Sequence, residues 1–169
     1  MNKALELVEA RWLFGLEPER IDAIVHPQSV VHSMVEFVDG SIVAQMGRPD
    51  MRLPIQYALT YPERRAPSAV SFDLKDFARL DFEEVDRERF PGFAVGERAM
   101  RLGGTAGAVF NAANEVAVER FLAGEIPFPA IAATVAAVLD DATIVPDPGL
   151  DDIYAADRAA REDAATCRT

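Results

Sequence analysis

The sequence contains little cysteine and no long hydrophobic segment, and both shortages exclude classes of protein. Its 169 residues include one cysteine, Cys167, so no internal disulfide can form, and a thiol so near a chain end is a poor catalytic nucleophile. No segment approaches the roughly 18 apolar residues of a membrane span, and the N-terminus lacks a signal-peptide pattern. We therefore expect a cytoplasmic protein with no membrane partner.

Basic residues are also few. The chain has 17 Lys and Arg against 28 Asp and Glu, a formal net charge of −11, which argues against a nucleic-acid partner because phosphates are bound by clustered basic side chains. The sequence has no GxGxxG motif, Walker loop, GxSxG elbow or Cys/His cluster. Its local motifs therefore assign no reaction on their own, although half of its residues are hydrophobic, as in an ordinary globular protein.

The chain opens with a helical pattern. In "MNKALELVEARWLF" an apolar stripe at Leu5, Val8 and Trp12 predicts a helix that ends before Gly15. The segment "EPER" predicts a short turn, and the β-branched residues 21–25 then predict a strand. This first part of the chain is expected to mix α and β structure.

A β-hairpin is the clearest local signal. In "SMVEFVDGSIVAQMG", Asp39 and Gly40 predict a two-residue turn, and counting outward from it pairs Glu36 with Val43. The face that we expect to join the core carries Val35, Phe37, Ile42, Ala44 and Met46. The other face keeps apolar side chains beside polar ones, as an interface would: Met34, Val38 and Val43 beside Glu36 and Gln45.

The rest of the chain is predicted to be mainly helical. A short helix is expected at residues 54–60, and the proline-rich residues 62–91 predict a linker with one short strand near 70–72. From Phe93 onward four amphipathic helices follow, with breaks at Gly103-Gly104, Gly124, Pro127 and Pro129, Thr105 as a cap, and Asp151 and Asp152 in the last helix's first turn. The predicted fold class is α+β, ending in a small antiparallel four-helix bundle.

The first helical turn holds the most chemically useful side chains. Asn2, Lys3 and Glu6 lie on one turn, where a carboxylate could bind Mg²⁺ or Mn²⁺ and the amide and ammonium could bind an anionic or hydroxylated ligand. One carboxylate is too few for a metal site, so further ligands would have to come from elsewhere. On spacing alone, Lys3 and Glu6 are more often a solvated surface pair.

Two other groups of polar residues have structural alternatives. His26 and His32, the only histidines, both occur in "HPQSVVH", where a histidine that stabilises a strand end is the better interpretation than a catalytic one. In "NAANE", the residues Asn111, Asn114 and Glu115 are best interpreted as hydrogen-bonding between packed helices.

Four longer segments, taken together, resemble one enzyme family. "MNKALELVEARWLF", "HPQSVVHSMVEFVDGSIVAQMGRPDMRLPI", "FPGFAVGERAM" and "FNAANEVAVERFL" are similar, in order and spacing, to the C-terminal portion of 1-deoxy-D-xylulose-5-phosphate reductoisomerase. The resemblance implies an NADPH-dependent and Mg²⁺- or Mn²⁺-dependent homodimeric enzyme that makes 2-C-methyl-D-erythritol 4-phosphate in non-mevalonate isoprenoid synthesis. It also implies a domain division: residues 1–70 in the catalytic domain, 71–91 as linker, and 92–169 as the helical bundle.

The resemblance assigns roles to five residues. Asn2 and Lys3 match the substrate-binding pair of the family, and Glu6 matches a metal-binding carboxylate that also faces the sugar-phosphate substrate. His32 matches a histidine that supports activity, so Lys3, Glu6 and His32 are the implied catalytic residues. Met51, in "GRPDM", matches the residue that lies against the nicotinamide ring, a role that suits a polarisable apolar side chain.

The sequence also departs from the family. The acidic motif that supplies the other metal carboxylates, the glycine-rich NADPH loop, the phosphate-binding serines and the mobile loop are absent. We therefore expect a truncated chain that binds no NADPH and has no activity alone. Two alternatives stay open: a non-enzymatic dimerisation module that uses the hairpin face, and a half-enzyme completed by a second chain.

Overall fold

The computed structural model describes residues 1–66, 73, 75 and 78–168. Within them it contains six α-helices and one two-stranded antiparallel sheet, which confirms the predicted α+β class. The elements are α1 (Asn2–Phe14), a 3₁₀ turn (Pro18–Arg20), β1 (Val31–Glu36), β2 (Ile42–Met46), α2 (Arg52–Thr60), α3 (Pro91–Leu102), α4 (Ala106–Leu122), α5 (Phe128–Asp141) and α6 (Leu150–Thr166).

The chain forms two compact units. A helical unit contains Met1–Asp22 and Asp86–Thr169, and a hairpin unit contains Ala23–Val85. The helical unit therefore joins α1 to the four helices of the bundle. The domain division at residues 70 and 92 refers to the longer family architecture and stays a prediction.

The bundle is held together by an alanine-rich core. Helix α4 packs against both α5 and α6, and α3 packs against α5. The largest fully buried side chains include Phe110, Met100 and Val135, and small ones fill the remaining space: Ala99, Ala106, Ala112, Ala113, Ala117, Ala160 and Ala164. Small side chains let helices approach closely, and α3 and α4 end just before the predicted breaks at Gly103 and Gly124.

Helix α1 packs against the bundle through a face that matches the predicted stripe only in part. Ala4 and Leu7 are buried, whereas Trp12 is 56% exposed. Leu5 and Val8 of the stripe are partly buried, Leu5 against the core and Val8 against Gly107, so the prediction fails at Trp12 and omits Ala4 and Leu7. The neighbouring helix instead presents glycine, Gly96, on which the small side chain of Ala4 packs.

Thr105 does not cap α4 with its side chain, contrary to the prediction. Its backbone angles are helical, and its hydroxyl oxygen accepts a hydrogen bond from the Val145 N–H at 3.1 Å. The Thr105 N–H in turn donates to the Val145 carbonyl at 3.0 Å. Gly104 is required beside this pair, because its φ is +50° and a Cβ would overlap the same carbonyl. These contacts attach the α3–α4 turn to the segment after α5.

The hairpin exists, but its register differs by one residue from the prediction. Val35 pairs with Val43, and Glu36 pairs with Ile42 rather than with Val43. The loop has three residues instead of two, since Phe37 N–H donates to the Ser41 carbonyl at 2.9 Å and Gly40 adopts a φ of +80°. A type I turn followed by a left-handed glycine is the usual geometry for a loop of that length.

The hairpin faces are also more exposed than predicted. The expected core face is wrong for this chain, because Val35, Phe37 and Ile42 each expose about half of their surface or more. The other predicted face, with Val43 and Met34, is exposed as well, and the observed register places Val43 on the face of Val35 and Met34 on the opposite face. In the described part of the chain this is a two-stranded sheet, and neither of its faces is buried.

Two predicted strands have different outcomes. Residues 21–25 form no strand, and only Val25 makes an isolated antiparallel bridge, to Glu83. The β-branched sequence was a misleading signal because no continuous partner strand runs beside it in the described residues. The strand expected near residues 70–72 lies outside those residues. Among the helices that the structure describes, none is long and apolar enough to cross a membrane.

The Ala4–Gly96 approach yields a stability prediction. In Gly96→Ala the new methyl group would overlap Ala4 Cβ and lie 3.1 Å from Ala4 Cα and 3.3 Å from Phe110 Cζ. We expect a net loss of about 2 kcal/mol of unfolding free energy, because overpacking of about 3 kcal/mol outweighs about 1 kcal/mol of gained helix propensity. Urea unfolding followed by circular dichroism measures it.

The matched control moves the methyl group from one helix to the other. Ala4→Gly combined with Gly96→Ala removes the Cβ–Cβ overlap while it keeps the composition of the interface. We expect this double variant to regain at least half of the lost stability. Equal stability of Gly96→Ala and the wild type would contradict a close contact at this position.

Candidate functional site

The first turn of α1, residues 2–6, presents its polar side chains to solvent; we call it the ligand turn. The Met1 carbonyl accepts hydrogen bonds from the N–H groups of Ala4 and Leu5, which starts the helix at Asn2. Lys3 Nζ donates to Glu6 Oε2 at 2.5 Å, and the two side chains are 58% and 56% exposed. Both groups are therefore accessible to a ligand, and an ion pair this exposed stabilises the fold little.

The ligand turn fits one part of a divalent-metal site. The Glu6 carboxylate is a hard oxygen donor of the kind that Mg²⁺ and Mn²⁺ bind. No group of three or more His, Cys, Asp or Glu side chains with metal-binding geometry occurs among the described residues. The described part of the chain therefore offers an exposed carboxylate at this turn rather than a complete ligand set.

The other two predicted site residues, His32 and Met51, belong to the hairpin unit, whereas the ligand turn belongs to the helical unit. His32 Nε2 hydrogen-bonds to the Gly47 carbonyl at 3.1 Å, which requires that nitrogen to carry the proton. Met51 precedes α2 and is 70% exposed. His32, on β1, is therefore attached to the loop between β2 and α2, and Met51 lies in that loop.

The loop that carries Met51 is fixed by the neighbouring charges. Asp50 accepts hydrogen bonds from the Arg52 N–H at 3.0 Å and from the Arg52 guanidinium, with Nη2 to Oδ2 at 2.6 Å. These bonds lower the pKa of Asp50 to about 2. The carboxylate is thus charged at neutral pH and keeps the start of α2 ordered beside the exposed methionine.

His26 has a structural environment, as predicted, although the strand that it was expected to end does not form. Its Nδ1 donates to the Asp81 carbonyl at 2.8 Å, and its ring stacks on Phe82 with centroids 4.7 Å apart. Gln28 hydrogen-bonds to the same Asp81 through its side chain. These contacts join two segments of the hairpin unit.

In the "NAANE" segment, Glu115 makes a hydrogen bond between helices, whereas the Asn114 side-chain oxygen makes none within the described part of the chain. Glu115 accepts from Asn111 Nδ2 at 3.0 Å and from Arg161 Nη2 of α6 at 2.6 Å. The hydrogen bond from Arg161, reinforced by that from Asn111, lowers the pKa of Glu115. Contrary to the prediction, the Asn114 side-chain oxygen is buried without a hydrogen-bond partner among the described residues.

Two arginines that matter to these helices were missed from the sequence. Arg161 also pairs with Asp157, and their i, i+4 spacing was a visible signal. Arg11 donates from Nη1 to the Met100 carbonyl near the end of α3. Its only signal was its place in the last turn of α1, because its acceptor is distant in sequence.

Comparison with known proteins defines the class first. A profile described as the DXP reductoisomerase C-terminal domain matches residues 46–163. The 1-deoxy-D-xylulose 5-phosphate reductoisomerase of Symbiobacterium thermophilum is 57% identical over 164 residues, and that of Pseudomonas putida is 52% identical over 162. This chain belongs to the 1-deoxy-D-xylulose 5-phosphate reductoisomerase family.

Solved structures support the same assignment. The Zymomonas mobilis reductoisomerase in complex with NADPH matches 97% of this chain with a TM-score of 0.87 and 47% identity. A reductoisomerase in complex with NADPH, fosmidomycin and magnesium matches 96% of it with a TM-score of 0.88 and 44% identity. The chain spans 42% of the length of the Symbiobacterium relative and 43% of the Zymomonas structure.

The Glu115–Arg161 pair yields a pH prediction. The folded state lowers the Glu115 pKa, so the pair stabilises the fold above the ordinary glutamate pKa and loses this effect as the pH falls through the folded value. In Glu115→Gln we expect a smaller loss of stability between pH 7 and pH 3 than in the wild type, by less than about 1 kcal/mol because the pair is solvent-screened.

Urea midpoints at a series of pH values measure this difference. Glu119→Gln is the matched control, since Glu119 is another exposed glutamate of the same helix. The control should follow the wild-type pH dependence. Parallel pH curves for wild type and Glu115→Gln would contradict a stabilising role for the pair.

Proposed function

We propose that this chain supplies the C-terminal share of a 1-deoxy-D-xylulose 5-phosphate reductoisomerase active site. Glu6 is a divalent-metal ligand, Asn2 and Lys3 bind substrate oxygens, and His32 and Met51 act near the substrate and the nicotinamide. The observation that carries this proposal is the exposed Lys3–Glu6 pair, 2.5 Å apart at the start of α1, in a chain of this family.

The proposed reaction converts 1-deoxy-D-xylulose 5-phosphate to 2-C-methyl-D-erythritol 4-phosphate with NADPH. When bound, the divalent metal supplies Lewis acidity to the substrate oxygens. The Lys3 ammonium and the Asn2 amide hydrogen-bond and orient the same substrate. Met51 offers an exposed, polarisable surface of the kind that packs against a flat nicotinamide ring.

We propose a homodimer for the active assembly, and a non-enzymatic interaction module as the alternative function. The hairpin supports both ideas, because apolar side chains on each of its faces are exposed. Such exposure is typical of a protein–protein interface. Self-association without any metal or substrate binding would favour the alternative.

Metal binding by Glu6 is the first prediction from this proposal. When Mn²⁺ is titrated into the ¹⁵N-labelled chain, we expect selective broadening of the amide signals of the ligand turn, because a paramagnetic ion bound at Glu6 relaxes nearby nuclei. Line broadening detects even weak binding by one carboxylate. Two-dimensional NMR spectra at each Mn²⁺ concentration provide the measurement.

Two glutamine variants identify the ligand. Glu6→Gln should lose the selective broadening, whereas Glu9→Gln, on the same helix, should retain it. Both variants remove one exposed negative charge, so a general electrostatic effect would alter them equally. Broadening that persists in Glu6→Gln would show that Glu6 is not the ligand.

The second prediction concerns turnover by this chain alone. With 1-deoxy-D-xylulose 5-phosphate, NADPH and Mg²⁺ or Mn²⁺, we expect no NADPH oxidation, because the described residues supply a single carboxylate at the ligand turn. Absorbance at the NADPH band follows the reaction, with a full-length relative as the positive control. Turnover by the 169-residue chain would overturn the expectation of inactivity.

A further inference from the structure

We propose that the bundle aims the ligand turn, and that Arg11 is the positioning residue that attaches α1 to the end of α3. This inference rests on the proposed metal role of Glu6. The bundle would thus orient the site, although none of its own residues belongs to the predicted ligand set.

The first support is a row of glycines under α1. One face, at i, i+3, i+7 spacing, carries Met1, the residue just before α1, and Ala4 and Val8 of α1. Each lies against one glycine: Met1 on Gly92, Ala4 on Gly96 and Val8 on Gly107. A Cβ at Gly107 would lie 2.9 Å from Val8 Cγ1, and one at Gly96 would overlap Ala4. The helix backbones therefore approach closely at Ala4 and Gly96, and the side chains of Met1 and Val8 fill the space over the other two glycines.

The second support is the polar contact at the other end of this face. Arg11 donates from Nη1 to the carbonyl of Met100. This is one of the last four carbonyls of α3, for which the helix itself provides no N–H donor. A cation at a helix C-terminus is also favoured by the helix dipole. Gly103 leaves the required space, because a Cβ there would lie 2.6 Å from Arg11 Nη1.

Together these contacts fix the rotation of α1 about its axis. Ala4 and Leu7 face the bundle, whereas Lys3 and Glu6 are more than half exposed. Each residue of a helix is offset by about 100° from the next, so a small rotation of α1 would change the direction of the Glu6 carboxylate. A fixed rotation is the condition for a carboxylate to meet metal ligands that come from elsewhere.

The test compares Arg11→Met, which keeps the aliphatic stem and removes the donors, with Arg11→Lys, which keeps the charge and one donor type. Arg101→Met, at an exposed arginine in the last turn of α3, is the matched control. Two quantities are measured in each variant of the 169-residue chain: amide hydrogen exchange of every helix, and Mn²⁺ broadening of α3 amides relative to that of the ligand turn.

In Arg11→Met we expect α1 amides to exchange about fivefold faster while α4, α5 and α6 amides keep their wild-type rates, because loss of one charged helix-end contact opens α1 locally. The α3-to-α1 broadening ratio should also fall, since a less firmly held α1 varies in its rotation and in the distance of the bound ion from α3. Arg11→Lys should recover most of both effects, and Arg101→Met should show neither.

The outcomes separate this inference from the proposed function. Equal acceleration in all helices would indicate a general stabilising role for Arg11 and would overturn positioning, as would unchanged exchange in α1. A wild-type chain without Glu6-dependent broadening would contradict the metal role on which the inference rests, while the exchange rates would still report whether Arg11 docks α1. Arg11→Lys decides the exchange result if Arg11→Met does not fold.

Discussion

The close approach of α1 to the glycines of α3 and α4 is the contact on which the candidate site depends. Ala4 can pack on Gly96 because neither residue has a side chain beyond Cβ, and this brings the helix with Lys3 and Glu6 onto the bundle. The buried face of α1 is determined by the space that the glycines of α3 and α4 leave free, and the polar face with Lys3 and Glu6 consequently points to solvent. Packing on one side of a helix thereby determines the chemistry on the other.

The chemistry of the ligand turn is modest by itself. An exposed Lys–Glu pair is common on protein surfaces. It acquires meaning here only because the chain belongs to a reductoisomerase family whose solved members include a complex with NADPH, fosmidomycin and magnesium. The described residues offer one carboxylate at the turn, consistent with a chain that spans about two fifths of its relatives' length. The proposed role is thus a share of a site, and the bundle's contribution is orientation.

In the hairpin, an error of one residue in the predicted loop length changes the predicted pairing along both strands. A loop of three residues instead of two changes which side chains oppose one another along both strands, so Val35 meets Val43 and Glu36 meets Ile42. Asp39 contributes to the longer loop, since its carboxylate accepts from the Ser41 N–H at 2.9 Å and from the Ser41 hydroxyl at 2.6 Å, and these bonds lower its pKa. The exposed faces leave the hairpin suited to an interface.

The sequence by itself determined the features that depend on neighbouring residues. Periodicity, glycine and proline located the helices, from the end of α1 at Gly15 to the start of α6. The role of the ligand turn came from the resemblance to the family and stays a prediction. Only the tertiary structure decided that Thr105 bonds to Val145 and that Arg11 reaches Met100, because each of these partners is distant along the chain. It also decided that Ala4 and Leu7, rather than the larger Trp12, face the bundle. Local patterns fix where an element begins and ends, whereas its buried face is fixed by the shape of the surface it packs on.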